Sequence, residues 1–306
     1  MPLIAYIPEK KFKPDSLEKI RFANEVLEDL TGRGYTPTLR QVYYKFVAAG
    51  KIPNTQKEYK NLGSLLNDAR LCGLIDWDHM VDRTRHLQGT SHWESPADII
   101  DSCYQAFRVD KWEGQEYYVE VWVEKDAQVD VVGHACEPLD VSYFSCRGYV
   151  SQSEMWGAAR RLQYRIRDGR KAVIIHLGDH DPSGLDMTRD ITERIGEVFR
   201  TQVEVRRIAL NMDQIEELHP PPNPAKITDS RSAPYIAQFG HDSWELDALD
   251  PDYINNLITQ TVFEYRDVDL YADREKLEEM HRRHLREVKE RWEEIVKFLK
   301  KRKGKK

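Results

Sequence analysis

Apolar positions recur at helical spacing between Asp15 and Thr31, at Leu17, Ile20, Ala23, Val26, Leu27 and Leu30, which predicts an amphipathic helix. Asp15 with Glu18 makes a capping-box-like start, and Gly32 and Gly34 stop it. A second helix is predicted from near Pro37 to Gly50, and a third from about Thr55 to Leu71 with Tyr59, Leu62, Leu66 and Ala69 on one face. Three short helices joined by tight turns suggest a helix-turn-helix unit, winged if "CGLIDWDHMVDRTRHL" holds a small hairpin. "QGTSHWESP" (Gln88 to Pro96) reads as a linker, and Ser95, Pro96 and Asp98 as the cap of the helix after it.

The period then changes. "EYYVEVWVEK" (Glu116 to Lys125), "VSYFSC" (Val141 to Cys146), "KAVIIHLGD" (Lys171 to Asp179) and "VEVRRIAL" (Val203 to Leu210) read as strands. Helical stretches separate them near Val129 to Glu137, Ser151 to Ile166 and Ser183 to Phe199. Alternation of this kind implies a parallel sheet with right-handed crossovers, and the near-continuous apolar run "AVIIHL" suits a strand covered on both faces. From Asp250 onward the pattern is helical, with a long charge-rich stretch from Tyr271 to Lys300 whose apolar stripe is Leu277, Met280, Leu285, Val288, Trp292, Ile295 and Leu299. The expected fold class is therefore α/β: a helix-turn-helix (winged-helix-like) domain over residues 1–90, a parallel-sheet domain with a linker helix over 91–249, and a helical C-terminal extension with a basic tail over 250–306.

Composition narrows the class. The 306 residues are 40% hydrophobic and 32% charged, enough for a real core under a charged surface. No stretch reaches the roughly 18 apolar residues of a membrane span, so no membrane partner is expected. Cys72, Cys103, Cys136 and Cys146 form no C-x-x-C pair, which points away from a zinc site or disulfide framework and toward a reducing cytoplasm. The net charge of −6 argues against a uniformly basic protein, but charge is uneven. Between Thr31 and Arg70 seven basic residues face two acids, and the tail "KFLKKRKGKK" has seven basic residues and no acid. A local basic face is compatible with phosphate contact, although such a tail also reads as a solvated helix end.

Two constellations carry candidate chemistry. "IIHLGDHDPSG" ends a core strand in Asp179 and Asp181, and Glu124 closes "VWVEK". In open parallel sheets ligands bind beyond the carboxyl ends of the strands. A lone D-x-D reads better as a strand-end cap or a surface ion-pair member, but a third acid at the same end favours a shared hard cation, Mg²⁺ or Mn²⁺. Pro182, Ser183 and Gly184 turn the chain into the next helix. The second constellation is "TLRQVYYKFVAAG". Leu39, Val42, Tyr43, Phe46 and Val47 form its apolar face, which leaves Tyr44 exposed on a different face beside Arg40. That guanidinium would bind phosphate and favour the phenolate. Taken alone, the segment reads better as a rim tyrosine beside an unrelated arginine.

In combination these residues resemble a known family. "VEKDA" after the first strand, Gly148 in "CRGY" after the second and "GDHDPSGLD" after the third are similar to the Toprim domain, over roughly Tyr117 to Ala209. With the R-x-x-Y-Y segment in a preceding helix-turn-helix unit, the chain from about Thr36 to Leu249 resembles the A subunit of type IIB topoisomerases (topoisomerase VI) and the related transesterases that make meiotic double-strand breaks. The resemblance implies a Mg²⁺ (or Mn²⁺) site made by Glu124, Asp179 and Asp181, with Glu124 doubling as general acid or base. It implies that Tyr44 attacks double-stranded DNA to form a 5′-phosphotyrosyl link, that Arg40 assists, and that the protein is a homodimer. Tyr44 is then expected far from Asp179 within one chain and near a neighbour's metal. Arg40, Lys45, Lys57, Lys60 and Arg147 are the candidate DNA contacts.

The chain departs from that family pattern. Leu39 and Gln41 stand where a lysine and an aspartate are usual, the chain is shorter than a full A subunit, nothing in it is an ATPase, and no partner subunit can be inferred. DNA binding and strand cleavage are thus better supported than topoisomerase activity. The alternatives are a Toprim endonuclease that hydrolyses DNA with metal-bound water, in a mobile-element or defence role, and a non-catalytic DNA-binding module. The loop His219 to Arg231 reads equally as a channel lining or a structural strap. Glu245 and Asp247 of "WELDAL" read more readily as packing residues than as neighbours of a metal. His176 reads as a core histidine.

Overall fold

The computed structural model describes residues 5–80, 90 and 92–303. Its helices are α1 (Pro14–Gly32), α2 (Leu39–Ala48), α3 (Gln56–Leu71) and α4 (Pro96–Ala106), followed by strand β1 (Tyr117–Val123). Then come α5 (Val129–Cys136), β2 (Ser142–Ser145), α6 (Gln152–Arg167), β3 (Lys171–Leu177), α7 (Pro182–Glu193) and β4 (Val203–Ala209). After α8 (Met212–Leu218), the two-residue strands β5 (Asn223–Pro224) and β6 (Asp242–Ser243) flank α9 (Ser232–Phe239). Three helices end the described chain: α10 (Pro251–Glu264), α11 (Val268–Glu290) and α12 (Trp292–Lys303). The pattern-based elements agree with these to within a few residues. The long C-terminal helix is divided at Arg291, and α7 continues as a π turn through Arg194–Val198. The proposed hairpin falls partly at residues 81–89, and the linker partly at 88, 89 and 91, which lie outside the described residues; Trp77–His79 forms a 3₁₀ turn.

Two compact units result, and neither is a continuous segment. One comprises residues 1–85 and 118–264, the other 86–117 and 265–306. Contacts thus cut across the linear boundaries at 90 and 250. In the second unit α4 packs along α11, whose Glu278 carboxylate accepts the Val109 backbone N–H at 3.1 Å.

In the first unit the sheet order is β2-β1-β3-β4, with β1/β2 and β3/β4 parallel. β1 and β3 are buried along almost their whole length, as their apolar runs require. Trp122 and Ile174 pack with Met155 and Leu162 of α6 and Met187 and Ile191 of α7, while α5 packs with α10. The connection from β1 runs to β2 on one side, and the chain then crosses to β3 on the other. The β1/β3 boundary is therefore the topological switch point, where open α/β sheets form their ligand crevice. Glu124 follows β1 directly and Asp179 follows β3 after Gly178, so sheet order alone brings them side by side.

The helices α1, α2 and α3 share a separate core of Leu27, Val42, Phe46, Leu66 and Ile75. Thr38 caps α2 in a capping box with Gln41, and Thr55 caps α3. Ion pairs stitch this bundle to the rest of the unit: Arg33 reaches Asp250 and Asp252, and Lys45 reaches Asp250 at 2.8 Å. Among the described residues no helix is long and apolar enough to cross a membrane. Phe46 is fully enclosed, its ring edge-on to Phe22 with centroids 4.7 Å apart. Phe46→Ala is expected to lower the unfolding free energy by about 3–5 kcal/mol in a urea titration, because the bundle cannot collapse around the cavity.

Candidate active site

At the switch point the Glu124 carboxylate sits between two glycines. A Cβ on Gly178 would fall 2.9 Å from Glu124 Oε2, and one on Gly184 would fall 2.9 Å from that oxygen and 2.3 Å from the Asp179 carbonyl oxygen. Only glycine lets the turn into α7 pass this close to a carboxylate. Glu124 Oε2 accepts the Asp179 backbone N–H at 2.9 Å. Asp181 caps α7: its Oδ1 accepts from Gly184 N at 2.6 Å and from Ser183 Oγ at 2.8 Å. Asp181 is thus the N-cap of α7, a local structural role at the strand end.

Asp179 is buried and doubly engaged. Its Oδ1 accepts the Leu246 backbone N–H at 2.9 Å, and its Oδ2 lies 2.7 Å from Lys125 Nζ. The same ammonium lies 2.7 Å from Glu245 and 3.7 Å from Asp247. Arg40 reaches this cluster from α2, bonding Glu245 and lying 3.0 Å from Asp247. Two cations therefore hold three buried or half-buried carboxylates, the arrangement that makes burial of charge tolerable. Beneath them Arg207 of β4 is half-buried and donates to the carbonyls of Gly178, Asp179, Gly184 and Leu210. It clamps the loop that carries the aspartates.

Electrostatics follow from this packing. Burial, then repulsion from Asp179, pushes the Glu124 carboxyl well above the usual range, and Asp181 adds to the push. Burial also raises Asp179 against the pull of Lys125. Burial works against the charge on Lys125, yet Asp179, Asp247 and Glu245 overrule it and its pKa rises. For Glu245 burial acts upward, and Lys125 and Arg40 more than reverse it. The Arg207 guanidinium is lowered to about 10 by burial. Glu124 is thus near enough to Asp179 and Asp181 to feel their charge.

All the donors are oxygens, which suits a hard cation. Among the described residues Glu124 Oε1 and Asp181 Oδ2 are claimed by no hydrogen bond. Asp179 Oδ2 is held by Lys125, and as the side chains stand no three acids or histidines form a chelating group among the described residues. Glu124 Oε1 and Asp181 Oδ2 are thus the uncommitted carboxylate oxygens at this strand end, while Asp179 is committed to Lys125.

The tyrosine pair departs from the sequence expectation. Tyr43 packs inward, its hydroxyl donating to Asn54 Oδ1 at 3.0 Å and Thr55 O at 3.1 Å. Tyr44 is not exposed either; both rings are 4% accessible. The helical phase is right, since Arg40 and Tyr44 do share a face and line one cavity. That face, however, is covered by the segment that bears Asn223 and Glu245 and by the Leu246–Ala248 turn. Burial, then the Glu245 charge, pushes the Tyr44 phenol up to about 12, outweighing Asn223, Arg40 and Lys125. Arg40 therefore does not make a phenolate here, because Glu245 and Asp247 already claim it.

A second correction concerns distance. Asn223 Nδ2 donates to Tyr44 Oη at 3.0 Å and lies 3.3 Å from Glu245 Oε1; Glu245 shares Lys125 with Asp179. Tyr44 and Asp179 of one chain are linked by this short series of contacts, not held apart in separate domains. Of the other candidate DNA contacts, Lys57 and Lys60 are exposed, Lys45 is paired with Asp250, and Arg147 is largely exposed while bonded to Asp126 at 3.0 Å. Lys125, Asn223 and Arg207 had not stood out in the sequence as site residues, and Glu245 and Asp247 had been read as packing. The x-spaced acid pair in "WELDAL", which repeats the Asp179-x-Asp181 spacing, was the available signal. His176 and His180 are both buried, bonded to Thr188 at 2.9 Å and Tyr235 at 3.0 Å, as core histidines. The loop from His219 to Arg231 contributes Asn223 to the cluster, while Arg231 pairs with Asp186 at 2.9 Å. Compared with known proteins, the chain matches no protein-family model and no curated protein.

The raised Glu124 pKa has a sign that can be checked. A carboxyl whose folded pKa lies above its unfolded value stabilises the fold below the ordinary glutamate range and loses that contribution as pH rises through the folded pKa. Without divalent metal, Glu124→Gln should therefore raise the melting temperature above neutrality and leave it nearly unchanged in acid. Added Mg²⁺ should raise the melting temperature of the parent protein above neutrality and that of Glu124→Gln little, as followed by calorimetry.

Proposed function

We propose that this protein binds double-stranded DNA and cleaves a strand by tyrosine transesterification, on a winged-helix-like bundle and a Toprim-type sheet resembling those of topoisomerase VI A subunits. The observation that carries the reading is the continuous network from Tyr44 and Arg40 through Asn223, Glu245 and Lys125 to Asp179. It joins a nucleophile-bearing helix to an acid cluster at a sheet's switch point, and packing alone requires neither the paired cations nor the phenol between them.

In this reading Glu124 and Asp181, with Asp179 once Lys125 turns away, would hold Mg²⁺ or Mn²⁺. The ion would supply charge neutralisation for the phosphate under attack. A DNA phosphate arriving at α2 competes with Glu245 and Asp247 for Arg40, which loosens the covering segment over Tyr44. The Tyr44 oxygen forms its bond to phosphorus as the strand's 3′-oxygen leaves, so no water is consumed and the link stays covalent. Arg207 keeps the aspartate loop in place throughout. A homodimer remains part of the proposal by resemblance to the family.

A second reading, metal-dependent hydrolysis, is favoured by one observation: the Tyr44 phenol is buried and its pKa is raised, while the Glu124 carboxyl is raised as a general acid or base requires. Denaturing electrophoresis of the protein mixed with labelled supercoiled DNA and Mg²⁺ or Mn²⁺ separates the two. Transesterification predicts label travelling with protein, lost in Tyr44→Phe and in Asp179→Asn and largely kept in Tyr43→Phe. Tyr44→Phe removes one buried hydrogen bond and should cost about 1 kcal/mol of stability, so the variant stays folded. If Tyr44→Phe still nicks DNA as well as the parent while Asp179→Asn does not, hydrolysis is the reaction. No metal-dependent cutting by any variant leaves a DNA-binding module.

A further inference from the structure

The Tyr44 hydroxyl opens onto a cavity of about 360 Å³ formed between α2, the start of α3 and strand β5. Its size lies within the roughly 300–1,000 Å³ of small-ligand pockets. Three of its walls are phenol rings. Tyr43 stands edge-on to Tyr44 at 5.4 Å and to Tyr59 at 5.3 Å, each between ring centroids. Tyr59 is half-buried, and among the described residues its hydroxyl makes no hydrogen bond. The polar part of the lining is Arg40, Asn54, Thr55, Gln56, Asn223 and Glu245. Glu245 Oε1 accepts one long contact, from Asn223 at 3.3 Å, and retains capacity for a further donor.

A cavity walled by three phenol rings, in which Arg40 is already held by Glu245 and Asp247, suits a flat heterocycle bearing N–H groups. We infer that it takes a single nucleobase swung out of the duplex beside the scissile phosphate. The base stacks on Tyr59 and donates its exocyclic amine to Glu245, so a looped-out cytosine or adenine is favoured over thymine. This inference rests on the DNA-cleavage reading and adds to it a means of selecting where a strand is cut. An unpaired base costs least to swing out, so mismatched or bulged sites are bound first. Stacking of a base on an aromatic ring carries most of the preference.

The test is equilibrium binding by fluorescence anisotropy, without divalent metal, to a fully paired duplex and to the same duplex with one looped-out cytosine or thymine. The parent protein should bind the cytosine bulge about tenfold more tightly than the paired duplex, and more tightly than the thymine bulge. Tyr59→Ala should bring that ratio to about one with paired-duplex affinity unchanged, and Tyr59→Phe, which keeps the ring, should preserve it. Glu245→Gln should reduce the preference for cytosine over thymine. Equal binding of paired and bulged DNA by the parent, or a ratio that survives Tyr59→Ala, overturns the inference. If covalent capture with Mg²⁺ persists in that case, the cleavage reading stands alone; if neither duplex is bound at all, both fall.

Discussion

The site is organised around the Lys125 ammonium. It lies within ion-pair distance of Asp179, Glu245 and Asp247, carboxylates contributed by the strand-end loop after β3 and by the segment before α10. Remove that charge and three acids remain in a water-poor space, which costs far more than a lost surface ion pair because each would be desolvated without compensation. Arg40 supplies the second cation from α2. The helical bundle is thereby joined to the sheet by the neutralisation of buried charge, at the same place where the candidate chemistry sits.

This arrangement sets limits on the chemistry. With Lys125 on Asp179 and Arg40 on Glu245, both cations of the cluster are held by carboxylates of the protein, and the Tyr44 phenol is raised by burial and by Glu245. Such a site is at rest. In the proposed reading a phosphate diester brought to α2 would share the Arg40 guanidinium with its carboxylates. In the same reading a divalent ion would act on the other side of the balance, competing with the ammonium for Asp179. In that reading substrate and metal would act on one network from its two ends.

Rigid parts and exchangeable parts are separate. Arg207 ties four carbonyls of the aspartate loop from below, and Gly184 admits α7 at a distance no other residue allows. Those contacts bear no exchangeable counter-ion. The ion pairs of Lys125 and Arg40 lie above them at the cavity side, with part of each side chain accessible. A fixed backbone under a layer of interchangeable charges is what a site needs if its ligands are to enter without the strands moving.

The α/β alternation, the four strands and the helices around them were legible in the chain because period two and period 3.6 are local properties of residue order. So was the convergence of Glu124 and Asp179, which requires only that both close neighbouring strands of a parallel sheet. The helical phase of α2 correctly set Tyr44 beside Arg40. What that phase could not determine was whether the face was wet. Burial of Tyr44 depends on a segment some 180 residues away, where Asn223 bonds its hydroxyl across a separation of 179 positions. The same holds for Lys125, Glu245 and Asp247: in sequence they are ordinary charged residues, and their roles arise from which charges meet once the chain is folded. Local order determines the elements and their faces, whereas the identity of each face's cover, and hence the pKa and partners of its polar groups, is a long-range property that only the tertiary structure decides.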